Sequence, residues 1–168
     1  VYGKELHKAA EDYIKLGTPI PEKFKFIQGV VDSLKNIPGD KHTEIELGVS
    51  NKNGRLNPCG FFDKDAWYRG IADLLIINGD EGFLVDYKSS KNAKYADLKQ
   101  LDAMAACIFR MFPEVKRIKS ALLFEVSGEF VHKEHNCDTD YLRGFQFDLE
   151  RLDNAIASGV WNACSGPL

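Results

Sequence analysis

Cysteine is sparse: the 168-residue chain has four, Cys59, Cys107, Cys137 and Cys164, and no two form a C-x-x-C pair. At this size and density a disulfide framework is not expected. No apolar run approaches the roughly 18 residues that a membrane helix needs. The opening "VYGKELHKAAEDY" is broken by charge at once, unlike a secretory signal, and begins without Met, in keeping with a trimmed or processed chain. Cytoplasmic residence, with no membrane partner, is the expectation. No repeat, low-complexity tract or linker divides the sequence, so 1–168 reads as a single domain long enough to bury a core. A formal net charge of −3 argues against a nucleic-acid binder held by total charge.

What is present is ordinary in bulk, with 44% apolar and 28% charged residues, and uneven in detail. Lys88 to Lys119 holds eight basic residues against three acidic ones, a local +5. Such a segment is either a solvated helix face or a patch able to meet phosphates. Cys107 lies in an apolar helical run and reads as a small core residue. His132, His135 and Cys137 in "HKEHNC" match no strong zinc spacing and read as an exposed polar loop. Nothing in the cysteine spacing asks for an iron–sulfur cluster.

Helical spacing of Leu6, Ala9, Ala10, Tyr13 and Ile14 predicts a helix over 2–16, stopped at Gly17. Residues 18–36 read as a second helix with Pro21 near its first turn. "TEIELGV" alternates, with Ile45, Leu47 and Val49 on one face and Glu44 and Glu46 on the other, which predicts a half-buried strand. "AWYRGIADLLIIN" and "FLVDYK" read as antiparallel partners around the tight turn "GDEG". Then follow a helix over 94–112, a strand over 118–126 and a closing amphipathic helix from 138. The fold class is therefore α/β or α+β, a central mixed sheet flanked by helices.

Asp73 sits mid-strand among Ile71, Ala72, Leu74 and Leu75, where a carboxylate is costly unless something pairs with it. A hairpin turning near Asn78 to Gly82 sets it opposite Asp86, and Lys88 shares the face of Asp86. Two such carboxylates repel unless protonated or bridged by a cation, and a hard divalent ion supplies the bridge. Singly, each residue has a plainer account: Asp73 as a hydrogen-bonded buried acid, Asp86 with Lys88 as a surface ion pair. Together they make a D-x12-D-x-K pattern across adjacent strands.

The stretch "RGIADLLIINGDEGFLVDYKSSK" resembles the core of the PD-(D/E)XK nuclease superfamily, in its RecB-type branch of phage-type exonucleases and CRISPR-associated adaptation nucleases. In that branch a G-x-[IV]-D strand precedes a D-Y-K strand, the places held here by "GIAD" and "DYK". "GKELHKAAE" offers His7 for the branch's early-helix histidine, and "YADLKQL" offers Gln100 for its helix glutamine. The chain departs from the branch in having Asp102 and Met104 where a tyrosine is common, and in lacking clustered C-terminal cysteines.

The resemblance implies a restriction-endonuclease-like core and a metal site of His7, Asp73, Asp86 and the Tyr87 carbonyl. Mg²⁺ or Mn²⁺ would be the cofactor, with manganese well suited to a site that includes a histidine. Lys88 would stabilise charge at the phosphate and Gln100 would orient Lys88 or the water. Glu44 resembles an accessory acid of some relatives. Arg69, Lys91, Lys94 and Lys99 are candidate DNA-backbone contacts, and Trp67, Tyr68 and Tyr95 could stack on an unpaired end or simply pack. The expected activity is a metal-dependent exodeoxyribonuclease on single- or double-stranded DNA, leaving 5′-phosphate and 3′-hydroxyl ends. A structure-selective DNA or RNA endonuclease and a catalytically inactive nucleic-acid-binding module are the rivals. A protein partner in recombination or repair, and an oligomer, are further expectations of the same resemblance.

Overall fold

Two prolines decide where the second helix begins. Pro19 and Pro21 bias Thr18 and Ile20 toward extended backbone, and in the computed structural model, which describes residues 2–89 and 98–159, residues 18–21 are not helical. After α1 (Tyr2–Leu16) the chain therefore makes a 3₁₀ segment, Glu22–Ile27, before α2 (Gln28–Asn36). The single helix expected over 18–36 is thus two pieces, and it starts later.

Six strands follow in one sheet: β1 (Asp40–Lys52), β2 (Arg55–Pro58), β3 (Tyr68–Asn78), β4 (Glu81–Lys88), β5 (Arg117–Phe124) and β6 (Glu129–Asn136). Their spatial order is β2-β1-β3-β4-β5-β6. All neighbours are antiparallel except β4 and β5, which run parallel because α3 (Lys99–Met111) carries the chain across between them. α4 (Thr139–Ser158) closes the described chain, with Asp138 capping it by accepting from the Tyr141 N–H at 2.7 Å. The fold is α+β, a mixed sheet with helices on both faces.

The sheet separates two apolar clusters. Leu74, Ile76, Val85, Tyr87 and Leu123 face α1, the 3₁₀ segment and α2, where Leu6, Ala10, Ile14, Phe24, Ile27 and Val31 are buried. Leu47, Ala72, Leu75, Leu84, Ile118 and Leu122 face α3, whose Leu101, Met104, Ala105 and Ile108 are buried, with Leu142 of α4. Each strand in the middle of the sheet thus alternates between two cores rather than between core and water. Cys107 is fully buried in α3, as expected.

The hairpin forms as predicted, with a tighter turn. Asn78 pairs with Glu81, leaving Gly79 and Asp80 as the two-residue loop, and Gly79 takes φ +61°, which suits glycine. Two strands depart from expectation. β2 is only four residues and buries Leu56 alone. β6 occupies residues read as a polar loop: its inward side chains include Lys133 and His135, so polarity hid the strand. His135 is buried beside Ser120, Nε2 to Oγ 2.7 Å, which is a core contact rather than a zinc ligand. Among the described residues no helix is long and apolar enough to cross a membrane.

Candidate active site

The site forms where β3 and β4 stop pairing. Their ladder ends at Leu74–Val85, one step short of Asp73 and Asp86. The Asp73 carboxylate takes over from the missing main-chain bond: its Oδ2 accepts from the Tyr87 N–H at 2.7 Å. On the other side β1 also lapses, since Thr43 pairs with Leu74 and Ile45 with Ala72, but Glu44, at φ +48°, does not pair with Asp73. Asp73 is thus the point at which a well-formed strand is left unpaired on both edges.

Lys88, Asp86 and Gln100 form one closed set of contacts. Lys88 Nζ lies 2.5 Å from Asp86 Oδ2 and donates to Gln100 Oε1 at 3.1 Å. Gln100 Nε2 donates in turn to Asp86 Oδ1 at 3.1 Å. The amide uses both ends, one accepting from the cation and one donating to the anion, which fixes its orientation. Parity along β4 sets Asp86 and Lys88 on one face, and the first turn of α3 brings Gln100 over it.

His7 comes from α1 on the opposite side of the sheet. Leu6 and Ala10 anchor α1 in the core, which leaves His7 half-buried at the strand ends. The helix also passes close to the end of β4: a Cβ on Gly3 would lie 2.9 Å from Ser89 Oγ. His7 Nδ1 is 3.8 Å from Asp73 Oδ1, its ring meets the Tyr87 ring edge-on at 5.6 Å, and Nε2 is 3.3 Å from Glu125 Oε2.

Glu125 was not anticipated. It follows β5 directly, its side chain is 1% exposed, and its N–H donates to the Lys88 carbonyl at 3.0 Å. The available signal was an apolar strand, "ALLF", ending in a carboxylate, the same pattern that drew attention to Asp86.

Electrostatics follow from burial. Asp73 is pushed up to about 6, chiefly by desolvation; the Tyr87 N–H opposes this and Asp86 adds to it. His7 is raised above its ordinary value, first by Glu125. Lys88 thus meets Asp86 on the α3 side, while His7 reaches Asp73 and Glu125 from the α1 side. Buried atoms without a hydrogen-bond partner include His7 Nε2 and both Glu125 carboxylate oxygens.

The donor set, hard oxygens with one imidazole, fits a divalent cation in chemistry and in charge. Its spacing is looser than a coordination shell: among the described residues no three His, Cys, Asp or Glu side chains are gathered closely enough to hold a metal ion. His7, Asp73 and Asp86, with the carbonyl of Tyr87 next to Asp86 in sequence, are the residues that would have to close on one.

Other predicted residues fall differently. Glu44 is exposed and makes no hydrogen bond or ion pair among the described residues. Arg69, exposed on β3 with the parity of Asp73, donates to the Asp63 carbonyl at 3.3 Å and stacks over Phe61. Lys99 is exposed beside Gln100, while Lys91, Lys94 and Tyr95 lie outside the described residues. Trp67 and Tyr68 pack rather than offer free faces: Trp67 Nε1 donates to Asp153, and Tyr68 meets Phe145 edge-on at 5.9 Å. The +5 segment is not one patch. Arg117 and Lys119 sit at the far end of β5, paired with Asp80 and Glu81 of the hairpin turn. Asp102 faces β6, accepting from Lys133 at 2.9 Å.

No family model and no curated protein matches the chain. Among solved structures it is similar to the crystal structure of SSO0001, at 17% identity over 99% of this chain and 80% of that one, with a TM-score of 0.41. It is also similar to a Eubacterium rectale protein named "putative exonuclease", at 10% identity over 100% of this chain and 77% of that one, with a TM-score of 0.46.

Proposed function

We propose that this chain is a divalent-metal-dependent nuclease, most specifically an exodeoxyribonuclease. The observation that carries the reading is the Asp86–Lys88–Gln100 set beside Asp73 at the point where β3 and β4 part. A half-buried lysine paired with a buried carboxylate and held by an amide, next to a second carboxylate pushed up to about 6, is a costly arrangement with no evident structural use.

In this reading His7, Asp73, Asp86 and the Tyr87 carbonyl would hold Mg²⁺ or Mn²⁺, which would supply a lowered water pKa and neutralisation of phosphate oxygens. Lys88 donates from Nζ to an oxygen of the scissile phosphate as negative charge builds there. Gln100 keeps Nζ beside Asp86 and limits its rotation. Water adds to phosphorus in line with the leaving 3′ oxygen and gives up a proton to solvent, and the P–O3′ bond breaks as that oxygen takes up a proton, leaving a 5′-phosphate and a 3′-hydroxyl. Arg69 and Lys99, and Lys91 and Lys94 by sequence, supply backbone contacts whose strength falls with salt.

The test uses end-labelled linear DNA and circular DNA in Mg²⁺, Mn²⁺ or EDTA, with Asp86→Asn and Lys88→Ala beside the parent. Metal-dependent loss of linear DNA with circles spared and both variants inactive is the expected result. Cutting of circles would replace the exonuclease by an endonuclease. DNA binding without cleavage in any metal would leave a binding module.

A further inference from the structure

We infer that Glu125 is the positioning carboxylate of His7: it holds Nε2–H and so leaves Nδ1 as the nitrogen turned toward Asp73 and open to a divalent cation. The cation in this statement rests on the function proposed above; the tautomer does not.

The argument starts from a buried charge. Glu125 has a side chain only 1% exposed, and neither carboxylate oxygen has a hydrogen-bond partner. An ionised group so placed needs a donor. The one ion pair it makes among the described residues is with His7 Nε2, at 3.3 Å, close enough to pair though not aligned as a hydrogen bond. Its position is not adjustable at leisure, because its own N–H is fixed to the Lys88 carbonyl at 3.0 Å and β5 pairs with β4 up to Lys88–Phe124.

A neutral imidazole carries one N–H, and two tautomers compete. With the proton on Nδ1, the Nε2 lone pair would face the Glu125 carboxylate at 3.3 Å, which is repulsive. The proton on Nδ1 would gain little, because Asp73 Oδ1 at 3.8 Å is beyond hydrogen-bond range. With the proton on Nε2 the close contact becomes attractive. Nδ1 and Asp73 Oδ1 are then two electron-pair donors facing each other across a gap. Metal-bound histidines are commonly oriented in this way by a carboxylate on the far nitrogen. Edge-on contact with Tyr87 limits rotation of the ring about its own axis.

Two measurements decide it. The first is the ring ¹⁵N pattern of His7 in EDTA under mildly alkaline conditions, in the parent and in Glu125→Ala. The Nε2–H tautomer in the parent, weakened in the variant, is expected; an Nδ1–H tautomer in the parent would overturn the assignment. The second is Mn²⁺ affinity by calorimetry. Glu125→Ala should bind Mn²⁺ about 10–100-fold more weakly, whereas Glu125→Gln, whose amide oxygen still accepts from Nε2–H, should stay within a few-fold of the parent. Equal loss in both variants would make Glu125 a direct ligand instead, and no loss in either would remove it from the site. Thermal melts by circular dichroism identify an unfolded Ala variant, in which case the Gln variant and the parent tautomer carry the decision. If the parent itself binds no Mn²⁺, the metal-dependent function fails while the tautomer still judges Glu125.

Discussion

Asp73→Asn should make the protein more stable at neutral pH, in EDTA, while abolishing the proposed activity. The Asp73 side chain is 17% exposed, and burial pushes its carboxyl from 3.8 up to about 6. A carboxyl raised in the folded state stabilises nothing when ionised. Below 3.8 both states hold the proton and there is no penalty. Between 3.8 and about 6 the unfolded chain ionises first, so stability falls as pH rises. Above that range the folded protein carries the whole cost, about 3 kcal/mol. Asn has nearly the same shape, carries no charge, and can still accept the Tyr87 N–H that Asp73 Oδ2 accepts at 2.7 Å.

Urea unfolding followed by circular dichroism measures this directly. Near pH 8 the Asn variant should have the higher midpoint, by about 1 M or more for slopes typical of a small domain. Near pH 4 the two midpoints should converge. Saturating Mn²⁺ should stabilise the parent and leave the variant almost unchanged, since a ligand stabilises only the state that binds it. A variant less stable than the parent near pH 8, or a difference that ignores pH, would refute the view of Asp73 as a desolvated, unpaid carboxylate.

Two further outcomes are expected. Gln100→Ala should leave Lys88 beside Asp86 but loosely held, lowering kcat about ten- to a hundred-fold with KM little changed; a rise in KM alone would make Gln100 a substrate contact. His135 is held below its ordinary 6.5 by burial, against the opposing charge of Asp102. The unfolded chain therefore takes up the proton first, and stability should fall as pH drops below about 6.5. His135→Gln should flatten that slope in urea midpoints, and an unchanged slope would place the titration elsewhere.

The hairpin was legible because two apolar runs flank a glycine turn, and the two-sided burial of β3 and β4 leaves little room for another register. β6 was not, and the reason is chemical. Its inward positions hold Lys133 and His135, which meet Asp102 and Ser120 rather than an apolar core. Hydrophobic alternation is the primary signal of a strand, and an edge strand that points charges inward erases it. The same contacts account for Asp102 on α3: it serves β6 rather than the Lys88 side.

For the site, Asp86 and Lys88 could be placed because strand parity carries them to the same face, whereas Gln100, which the first turn of α3 brings over them, came from the resemblance. His7 required the resemblance, since nothing local distinguishes it from any helix-face histidine. Glu125 escaped both routes because its role depends on a parallel pairing across a helix, and sequence spacing does not report which strand lies beside which. Yet β4 and β5 end alike, each an apolar strand closing on an acid, and being parallel they end at the same edge of the sheet. The two acids leave that edge on opposite faces: Asp86, level with Leu122, meets Lys88 and Gln100 on the α3 side, whereas Glu125, three residues further on, meets His7 on the α1 side. Each buried carboxylate therefore has its own cationic or protonatable partner, Lys88 for Asp86 and His7 for Glu125, which makes the strand ends, rather than any single aspartate, the feature that points to chemistry.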